Sequence, residues 1–283
     1  MREYFAFFVI AVLFLLSPLS CMNTDISSNT EKGNSSILRK SEQEEKKEKK
    51  RANKPLVINN PTVEDIIPID CENVLPVIYS HVKSLKELTP KDRKKKFVDV
   101  LLPEILIANE EIRKERNFLL SILKKEILSE VEKEKLEYLK DKYRTDDMAE
   151  LLRRVNTISP SLILAQGAIE SGWGTSRFFT EGNNVFGMYA FRPSNKKLKA
   201  KEKDVYLKVY DDILDSVRDY IYNLNVGWAY EEFRREREKG SNIDNLIKAL
   251  TFYSTQRESY VRLLENVIKS NRFTAYDNCT LSK

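Results

Sequence analysis

The sequence predicts a mostly α-helical (α+β) domain that carries one small β-hairpin. Charged and apolar residues recur at helical spacing over most of the chain after residue 75, which predicts amphipathic helices. Only 8 glycines and 9 prolines occur among the 283 residues, so few positions break these runs. Two short segments, 187–191 and 204–210, have strand character and flank a basic loop, and this arrangement predicts the hairpin.

The first 55 residues predict an exported protein held at a membrane. Residues 1–20 combine a positive charge at Arg2 with an apolar run that is too short to span a bilayer, as in a signal peptide. Small residues then precede Cys21, so we expect lipidation of Cys21; an ordinary cleaved signal with an incidental cysteine is the alternative. Residues 21–55 are polar and charged. They predict a disordered tether, because they have little apolar surface to bury.

Residues 56–145 predict an N-terminal helical extension. Pro103 lies inside the second of its helices and predicts a kink or break, because proline removes a backbone hydrogen bond. Ser129 and Glu132 have the spacing of a capping box, which opens the third helix. The three predicted helices span 75–88, 89–128 and 129–143.

Residues 146–283 form the second predicted domain. Asp146 or Asp147 begins its first helix. Ser159 and Pro160 suit the N-cap and the first turn of the next helix. The helices expected after the hairpin span 213–224, 229–239, 243–250 and 258–271.

The helix that begins at Ser159 places one carboxylate, Glu170, in its last turn, just before Gly172. The negative end of the helix dipole and burial beside Trp173 both disfavour the ionised form of this carboxyl group. A glutamic acid that stays protonated near neutral pH can donate a proton to a glycosidic oxygen. The alternative is a solvated residue at a helix end, followed by glycines that only form a turn.

Two segments are more specific than this general pattern: AQGAIESGWGTSRF (165–178) and EGNNVFGMYAF (181–191). They resemble the core of the Bax-like branch of the bacterial glucosaminidases (glycoside hydrolase family 73). The resemblance extends to KKKFVDVLLPEILIANEEIRKER, YDDILDSVRDYIYNLN and YSTQRESYVRLLENVIKSN, and it covers roughly residues 70–273. It implies a lysozyme-like fold and cleavage of the glycan strands of peptidoglycan.

The resemblance also implies roles for individual residues. The family's catalytic acid falls on Glu170. The tyrosine of its Tyr-Ser motif falls on Tyr253, whose hydroxyl is expected to orient a water or the acetamido group of the substrate. The corner motif that positions the sugar falls on Asn183, Asn184, Phe186 and Gly187.

A second acidic residue, which many members carry in the hairpin, has no unique position in this sequence. Glu202 and Asp204 are the nearest candidates, whereas the position that aligns best in the Bax-like branch is Tyr206. The spacing of two carboxylates separates inverting from retaining glycosidases, and some families use the acetamido group of the substrate instead. The stereochemical outcome is therefore not predicted.

Several aromatic residues in the same half of the chain suit a sugar groove, since aromatic rings stack and tyrosine hydroxyls form hydrogen bonds. Trp173 is also expected to desolvate Glu170. Aromatic residues at helical spacing belong more often to the core, and this is the alternative for each candidate except Tyr253. The candidates are Trp173, Tyr189, Tyr206, Trp228 and Tyr253.

Charge, histidine and cysteine content limit the other function classes. The net charge of +5 is compatible with an acidic wall polymer and is no evidence for binding to nucleic acid. With one histidine, His81 in the first predicted helix, and no Cys-x-x-Cys spacing, neither a metal site nor a Ser-His-Asp triad is expected, and no cofactor is predicted. Cys71 and Cys279 would pair in an oxidising envelope or remain two separate buried thiols.

The sequence therefore predicts a peptidoglycan hydrolase that is exported and attached to a membrane through a lipid anchor. Glu170 is expected to protonate the leaving oxygen of a β-1,4 glycosidic bond on the reducing side of N-acetylglucosamine. The enzymatic alternatives on the same fold are a muramidase and a lytic transglycosylase. An alternative from another class is a non-catalytic lipoprotein that binds peptidoglycan.

Overall fold

The computed structural model describes residues 54–190, 197–199, 206–251, 253 and 257–282. The signal peptide, Cys21 and nearly all of the tether lie outside the described residues, as do Glu202 and Asp204. Two strands come first, β1 (Leu56–Asn59) and β2 (Val77–Ser80). The remaining elements are α1 (Pro90–Ile122), α2 (Glu130–Tyr143), α3 (Met148–Arg154), α4 (Pro160–Ser171), α5 (Arg177–Gly182), β3 (Lys197–Lys199), β4 (Tyr206–Lys208), α6 (Ile213–Val226), α7 (Glu231–Glu238), α8 (Ile243–Lys248) and α9 (Glu258–Ser270).

The prediction of a mostly helical chain is confirmed, and several helix starts lie where their caps predict. Ser129 and Glu132 form the reciprocal capping box at the start of α2. The Asp147 side chain accepts a hydrogen bond of 2.6 Å from the backbone N–H of Glu150 at the start of α3. The predicted break at Pro103 is wrong, since α1 continues through it. The residues around Pro103 are buried on every side, so packing outweighs the one lost backbone hydrogen bond.

The predicted first helix over 75–88 is also wrong. Its residues 77–80 form β2, which pairs in parallel with β1, and a 3₁₀ turn at Leu85–Glu87 follows. The β-branched and aromatic side chains of this stretch favour a strand. The carboxyl group of Glu104 on α1 accepts a hydrogen bond of 2.6 Å from the backbone N–H of Tyr79, which fixes β2 against that helix.

The hairpin is present, but its first strand is not the predicted one. Antiparallel β3 and β4 pair Leu198 with Leu207, so β3 arises from the segment predicted to be the loop. The predicted strand at 187–191 contributes a bridge between Tyr189 and Leu207. Backbone hydrogen bonds join Ala190 to Tyr206 and Lys208 to Met188. The predicted strand therefore lies along the opposite edge of β4.

Helix α4 passes through the centre of the molecule, and its residues 160–168 are all buried. The hydrophobic core around it takes residues from both sides of the predicted boundary at 145. Cys71 and Cys279 form a disulfide that joins the beginning of the described chain to its end. Within the described residues, no helix combines the length and the apolar character needed to cross a membrane.

Candidate active site

The buried end of α4 is anchored by a residue from the far end of the chain. Ser159 occupies the N-cap position, but its side chain makes no capping hydrogen bond. Instead, the Asp277 carboxylate accepts hydrogen bonds from the backbone N–H (2.7 Å) and the hydroxyl (2.9 Å) of Ser161. A carboxylate at this end also complements the helix dipole. This contact fixes the helix that carries the candidate acid.

The opposite end of α4 turns sharply through three consecutive residues with positive φ. Gly172, Trp173 and Gly174 have φ values of 59°, 60° and 75°. The Ser171 hydroxyl donates to the carbonyl of Gly167 (2.6 Å) and accepts from the backbone N–H of Gly174 (3.0 Å). A positive φ is costly for tryptophan, so the surrounding packing holds this turn in place. The helix therefore ends at this turn, and Glu170 is its second-to-last residue.

Glu170 combines an exposed side with a partly desolvated carboxyl group. The residue is exposed, but burial of its carboxyl end raises its pKa, and the hydrogen bond from Tyr260 opposes that rise. The Tyr260 hydroxyl donates to Oε1 of Glu170 over 3.0 Å. Among the described residues, no charged neighbour contributes to the shift. The protonated form of this acid therefore persists to higher pH than that of an ordinary glutamate.

A continuous hydrogen-bond chain leads from the core to Glu170. The Tyr220 hydroxyl donates to Oε1 of Gln166, and Nε2 of Gln166 donates to the Tyr260 hydroxyl over 3.0 Å. Tyr220, Gln166 and Tyr260 are buried. Gln166 and Glu170 are four residues apart on α4, which places them on one face of the helix. We call this sequence of four residues the hydrogen-bond chain.

Stacked aromatic rings hold the hydrogen-bond chain in place. Phe186 stacks on Tyr220 with ring centroids 4.0 Å apart, and Tyr253 stacks on Tyr260 at 5.4 Å. Tyr253 also contacts Tyr220 edge-on at 6.3 Å and Tyr230 at 6.2 Å. One of these rings, Tyr260, contacts the carboxyl group directly through its hydroxyl. We call Phe186, Tyr220, Tyr230, Tyr253 and Tyr260 the aromatic cluster.

Asn183 and Asn184, here called the amide corner, do not present their amides to a ligand. Both residues are buried. The Asn183 side chain accepts from the backbone N–H of His81 and donates to the carbonyls of Tyr210 and Asp211. The Asn184 side chain donates to the carbonyls of Met188 and Lys208 and accepts from the N–H of Met188. The structure thus corrects the expectation that these amides bind sugar: they fix the hairpin to the end of α5.

Two aromatic residues predicted to contact substrate, Trp173 and Phe186, pack against other rings of the fold. Trp173 is half-buried between Phe97 (ring centroids 5.7 Å apart) and Phe273 (5.9 Å), with the Lys94 ammonium 4.9 Å from its ring. Phe186 is buried within the aromatic cluster, stacked on Tyr220. The expectation of sugar contact is corrected for Phe186, because its ring is buried. Contact of the half-buried Trp173 with sugar stays a prediction.

The remaining aromatic candidates keep surface that a ligand can reach. Tyr189 is 47% exposed beside the hairpin, and Trp228 is 88% exposed in the 3₁₀ turn Trp228–Tyr230 after α6. Tyr206 is half-buried, with the Lys197 ammonium 4.4 Å from its ring. Tyr253 is half-buried within the aromatic cluster. The second-acid candidates, Glu202 and Asp204, lie outside the described residues.

The residues that touch or support Glu170 were missed by the sequence reasoning. Tyr260 closes the motif YSTQRESY, seven positions after Tyr253, and Gln166 precedes Glu170 by one helical turn. Both spacings could have indicated a shared face. Among the described residues, no group of three or more metal-ligating side chains is placed to hold a metal ion. At the end of α4, hydrogen bonds connect the carboxyl group of Glu170, the hydroxyl of Tyr260 and the amide of Gln166.

Comparison with known proteins finds a family model, a relative and solved structures to which this chain is similar. Residues 146–273 match the model of the family described as mannosyl-glycoprotein endo-beta-N-acetylglucosaminidase. Protein bax of Escherichia coli (strain K12) is 30% identical over 194 residues, which cover 64% of this chain and 70% of that protein. The catalytic domain of the autolysin Auto from Listeria monocytogenes is similar with 22% identity and a TM-score of 0.36, covering 58% of this chain and 87% of that domain. The glycoside hydrolase domain of FlgJ from Salmonella typhimurium gives 24% identity and a TM-score of 0.34, over 48% of this chain and 90% of that domain.

Proposed function

Because the chain belongs to the glucosaminidase family and is a glycoside hydrolase, we propose that it cleaves the β-1,4 glycosidic bonds of peptidoglycan strands with Glu170 as the general acid. We further propose cleavage on the reducing side of N-acetylglucosamine. The observation that carries the proposal is the position of Glu170 at the open end of α4. There its carboxyl group is partly desolvated and hydrogen-bonded by Tyr260.

The desolvated carboxyl group suits the first step of glycoside cleavage. An acid whose pKa is raised keeps its proton at a pH where an ordinary glutamate has lost it. Transfer of that proton to the bridging oxygen lets the leaving sugar depart as a neutral alcohol while positive charge develops at the anomeric carbon. The exposed side of Glu170 leaves room for the sugar that must approach it.

The group that faces the anomeric carbon is a separate part of the proposal. Tyr253 lies in the aromatic cluster, where its ring stacks on Tyr260, and we propose that it orients the water or the acetamido group. Glu202 and Asp204 remain the candidates for a second acid, with Tyr206 as the alternative on β4. If none of them takes part, the acetamido group of the substrate can supply the nucleophile.

The proposed place of action is the cell envelope. The apolar run before Cys21 and the polar segment after it support export, lipidation and a tether of residues 21–55. The folded part would then begin near residue 56. Growth with a radiolabelled fatty acid tests this part, since the parent should carry label and Cys21→Ser should not. Label on both proteins, or on neither, would contradict the assignment of Cys21.

Digestion of purified sacculi by the full-length protein tests the catalytic proposal. Mass spectrometry should find released fragments with N-acetylglucosamine at their reducing ends. Muramic acid at the reducing end would indicate a muramidase, and its 1,6-anhydro form a lytic transglycosylase. Binding to sacculi without release of fragments would indicate a binding lipoprotein.

Glu170→Gln keeps the size of the side chain and removes the acid. We expect the digestion rate to fall by roughly 100- to 10,000-fold, with little change in thermal stability. Glu134→Gln, which removes an exposed glutamate on α2, is the matched control and should digest sacculi at the parental rate. Full activity of Glu170→Gln would show that another group is the acid.

A further inference from the structure

In the structure, the donors of the hydrogen-bond chain all point the same way, from Tyr220 to Glu170. Oε1 of Gln166 accepts from Tyr220, so the amide presents Nε2 to Tyr260. The Tyr260 oxygen is then occupied as an acceptor, and its single proton is directed at Oε1 of Glu170 over 3.0 Å. An amide has separate donor and acceptor ends, and a tyrosine hydroxyl has one proton. With the Gln166 amide in this orientation, the whole chain donates from Tyr220 to Glu170.

The surroundings of the hydrogen-bond chain prevent its members from rotating freely. Phe186 stacks on Tyr220 on one side, and Tyr253 stacks on Tyr260 on the other. Gln166 is fully buried on α4. Turning the amide would reverse its two hydrogen bonds, so that Tyr260 would donate to Gln166 and no longer to Glu170. The Tyr260 hydroxyl is thus aimed before any substrate arrives.

This fixed donor decides which oxygen of Glu170 can carry the acidic proton. While Tyr260 donates to Oε1, that oxygen is the better acceptor without a proton, so the contact favours the proton on Oε2. The described residues give Oε2 no hydrogen bond, and Glu170 has an exposed side. We infer that Tyr260, held by Gln166 and Tyr220, is a positioning residue that keeps the proton of Glu170 on Oε2, where it can reach the leaving oxygen of the glycan. The inference rests on the proposed role of Glu170 as the acid.

The same contact supports the acid after it has reacted. When Oε2 gives its proton to the leaving oxygen, the carboxyl group becomes negatively charged. The hydrogen bond from Tyr260 to Oε1 then becomes charge-assisted and stronger. Loss of the Tyr260 hydroxyl should therefore slow proton donation and also make Glu170 harder to ionise. A residue with a purely structural role would change neither property selectively.

The hydroxyls and carboxyl group that face this site come from several elements. Tyr220 is on α6, Tyr230 on the 3₁₀ turn after it, and Tyr260 on α9, with Tyr253 between α8 and α9. Glu170 is the charged side chain of this site. Among the described residues, its pKa is shifted by burial and by the hydrogen bond from Tyr260, and by no charged group. The alkaline limb of the pH–rate profile should therefore report the ionisation of Glu170.

Three substitutions in the full-length protein test the inference. Tyr260→Phe should lower the maximal rate of sacculus digestion by roughly 10- to 100-fold, the effect of losing one hydrogen bond to a charged group. It should also move the alkaline limb to higher pH. Gln166→Met and Tyr220→Phe remove earlier members of the hydrogen-bond chain and should produce the same changes, with sizes that fall in that order.

Tyr143→Phe is a matched control, because it removes the hydroxyl of another buried tyrosine that donates to a glutamate, Glu115, over 2.7 Å. It should leave the alkaline limb unchanged. ¹³C NMR titration of the Glu170 carboxyl carbon, assigned by its absence in Glu170→Gln, measures the same ionisation without activity. A higher midpoint in both Tyr260→Phe and Gln166→Met would support the inference.

Two results would overturn it. The first is a Tyr260→Phe protein that is folded by circular dichroism and keeps the parental rate and alkaline limb. The second is a lower rate in Tyr260→Phe and Gln166→Met with no shift of the limb or the NMR midpoint, which would indicate a structural role. Failure of the proposed function gives a different pattern, since Glu170→Gln would then digest sacculi at the parental rate.

Discussion

The amide corner and the hydrogen-bond chain are two buried polar networks that differ in how they end. Every polar atom of the Asn183 and Asn184 side chains is bonded to the backbone of this protein. The chain from Tyr220 through Gln166 and Tyr260 is just as well satisfied inside, but it finishes on the exposed carboxyl group of Glu170. The first network is closed and the second is open at one end.

This difference distinguishes residues that stabilise the fold from residues that act on Glu170. A closed network returns its hydrogen bonds to the fold, so losing a member costs stability. An open network holds in place a group that a ligand can contact. Losing a member of it therefore also changes the ionisation of that group. The two networks predict opposite outcomes for substitutions of comparable size.

Asn184→Asp should produce the largest loss of stability, because it removes two hydrogen bonds of the closed network. The new oxygen cannot donate to the carbonyls of Met188 and Lys208, which lie 3.0 and 2.9 Å from the nitrogen it replaces. We expect the free energy of unfolding to fall by about 2 to 4 kcal/mol, measured by urea denaturation. Asn73→Asp, at an exposed position, controls for the added charge and should have little effect.

Folded Asn184→Asp should remain active, because the Asn184 side chain bonds to the backbone and not to Glu170. Its rate of sacculus digestion per folded molecule should stay within a few-fold of the parent, with the alkaline limb unmoved. A variant that is as stable as the parent but inactive would mean that the amide reaches the substrate, and the distinction between closed and open networks would fail.

Trp173→Phe should have a smaller effect, again on stability. The tryptophan packs between Phe97 and Phe273 at the end of α4, so the smaller ring should lower the free energy of unfolding by about 1 to 2 kcal/mol. Affinity for sacculi should be unchanged. Trp228→Phe, at the exposed position, is the control and should leave stability at the parental value.

The same pair gives a direct test of contact, because the chain has 2 tryptophans. In Trp228→Phe, Trp173 is the single indole fluorophore. Addition of a soluble glycan fragment should leave its emission unchanged if the ring belongs to the core. A shift on binding, reversed by washing out the glycan, would place Trp173 in the groove.

The sequence predicts the helices and the position of Glu170 well, because both depend on local patterns. The capping box at Ser129, the N-cap at Asp147 and the left-handed end at Gly172 each use residues within one helical turn. The errors arise where distant residues decide the outcome. Residues 77–80 form a strand because β1 and Glu104 supply hydrogen bonds from elsewhere in the chain.

At the site, too, local sequence predicts some features and distant residues decide the others. The motif that contains Asn183 and Asn184 identifies the family, but only the three-dimensional structure shows that these amides are used up by the backbone of His81, Met188 and Lys208. Tyr260 reaches Glu170 across 90 residues of sequence. No local pattern predicts that a tyrosine on the last helix donates to the acid. A buried glutamine one turn before the acid was the available indication.

Substitution of Glu104 should have the smallest effect of the changes considered. Its network is neither closed like the amide corner nor open to a ligand like the hydrogen-bond chain. The side chain is fully buried, and Oε1 accepts from Tyr79 while Oε2 has no hydrogen-bond partner in the described part of the chain. Burial raises its pKa well above the ordinary value of 4.5. We therefore expect Glu104 to make stability depend on pH and to leave catalysis unaffected.

The direction of that dependence follows from proton binding. A carboxyl group with a raised pKa holds its proton more tightly in the folded state, so its contribution is complete below the unfolded pKa and is lost as pH rises through the folded value. Glu104→Gln removes this titration, and its free energy of unfolding relative to the parent should increase as pH rises above the unfolded value. Glu134→Gln, which removes one exposed negative charge, should show no such trend. If urea denaturation gives parallel pH profiles for Glu104→Gln and the parent, the buried carboxyl group has a partner that keeps it ionised, and its network is closed.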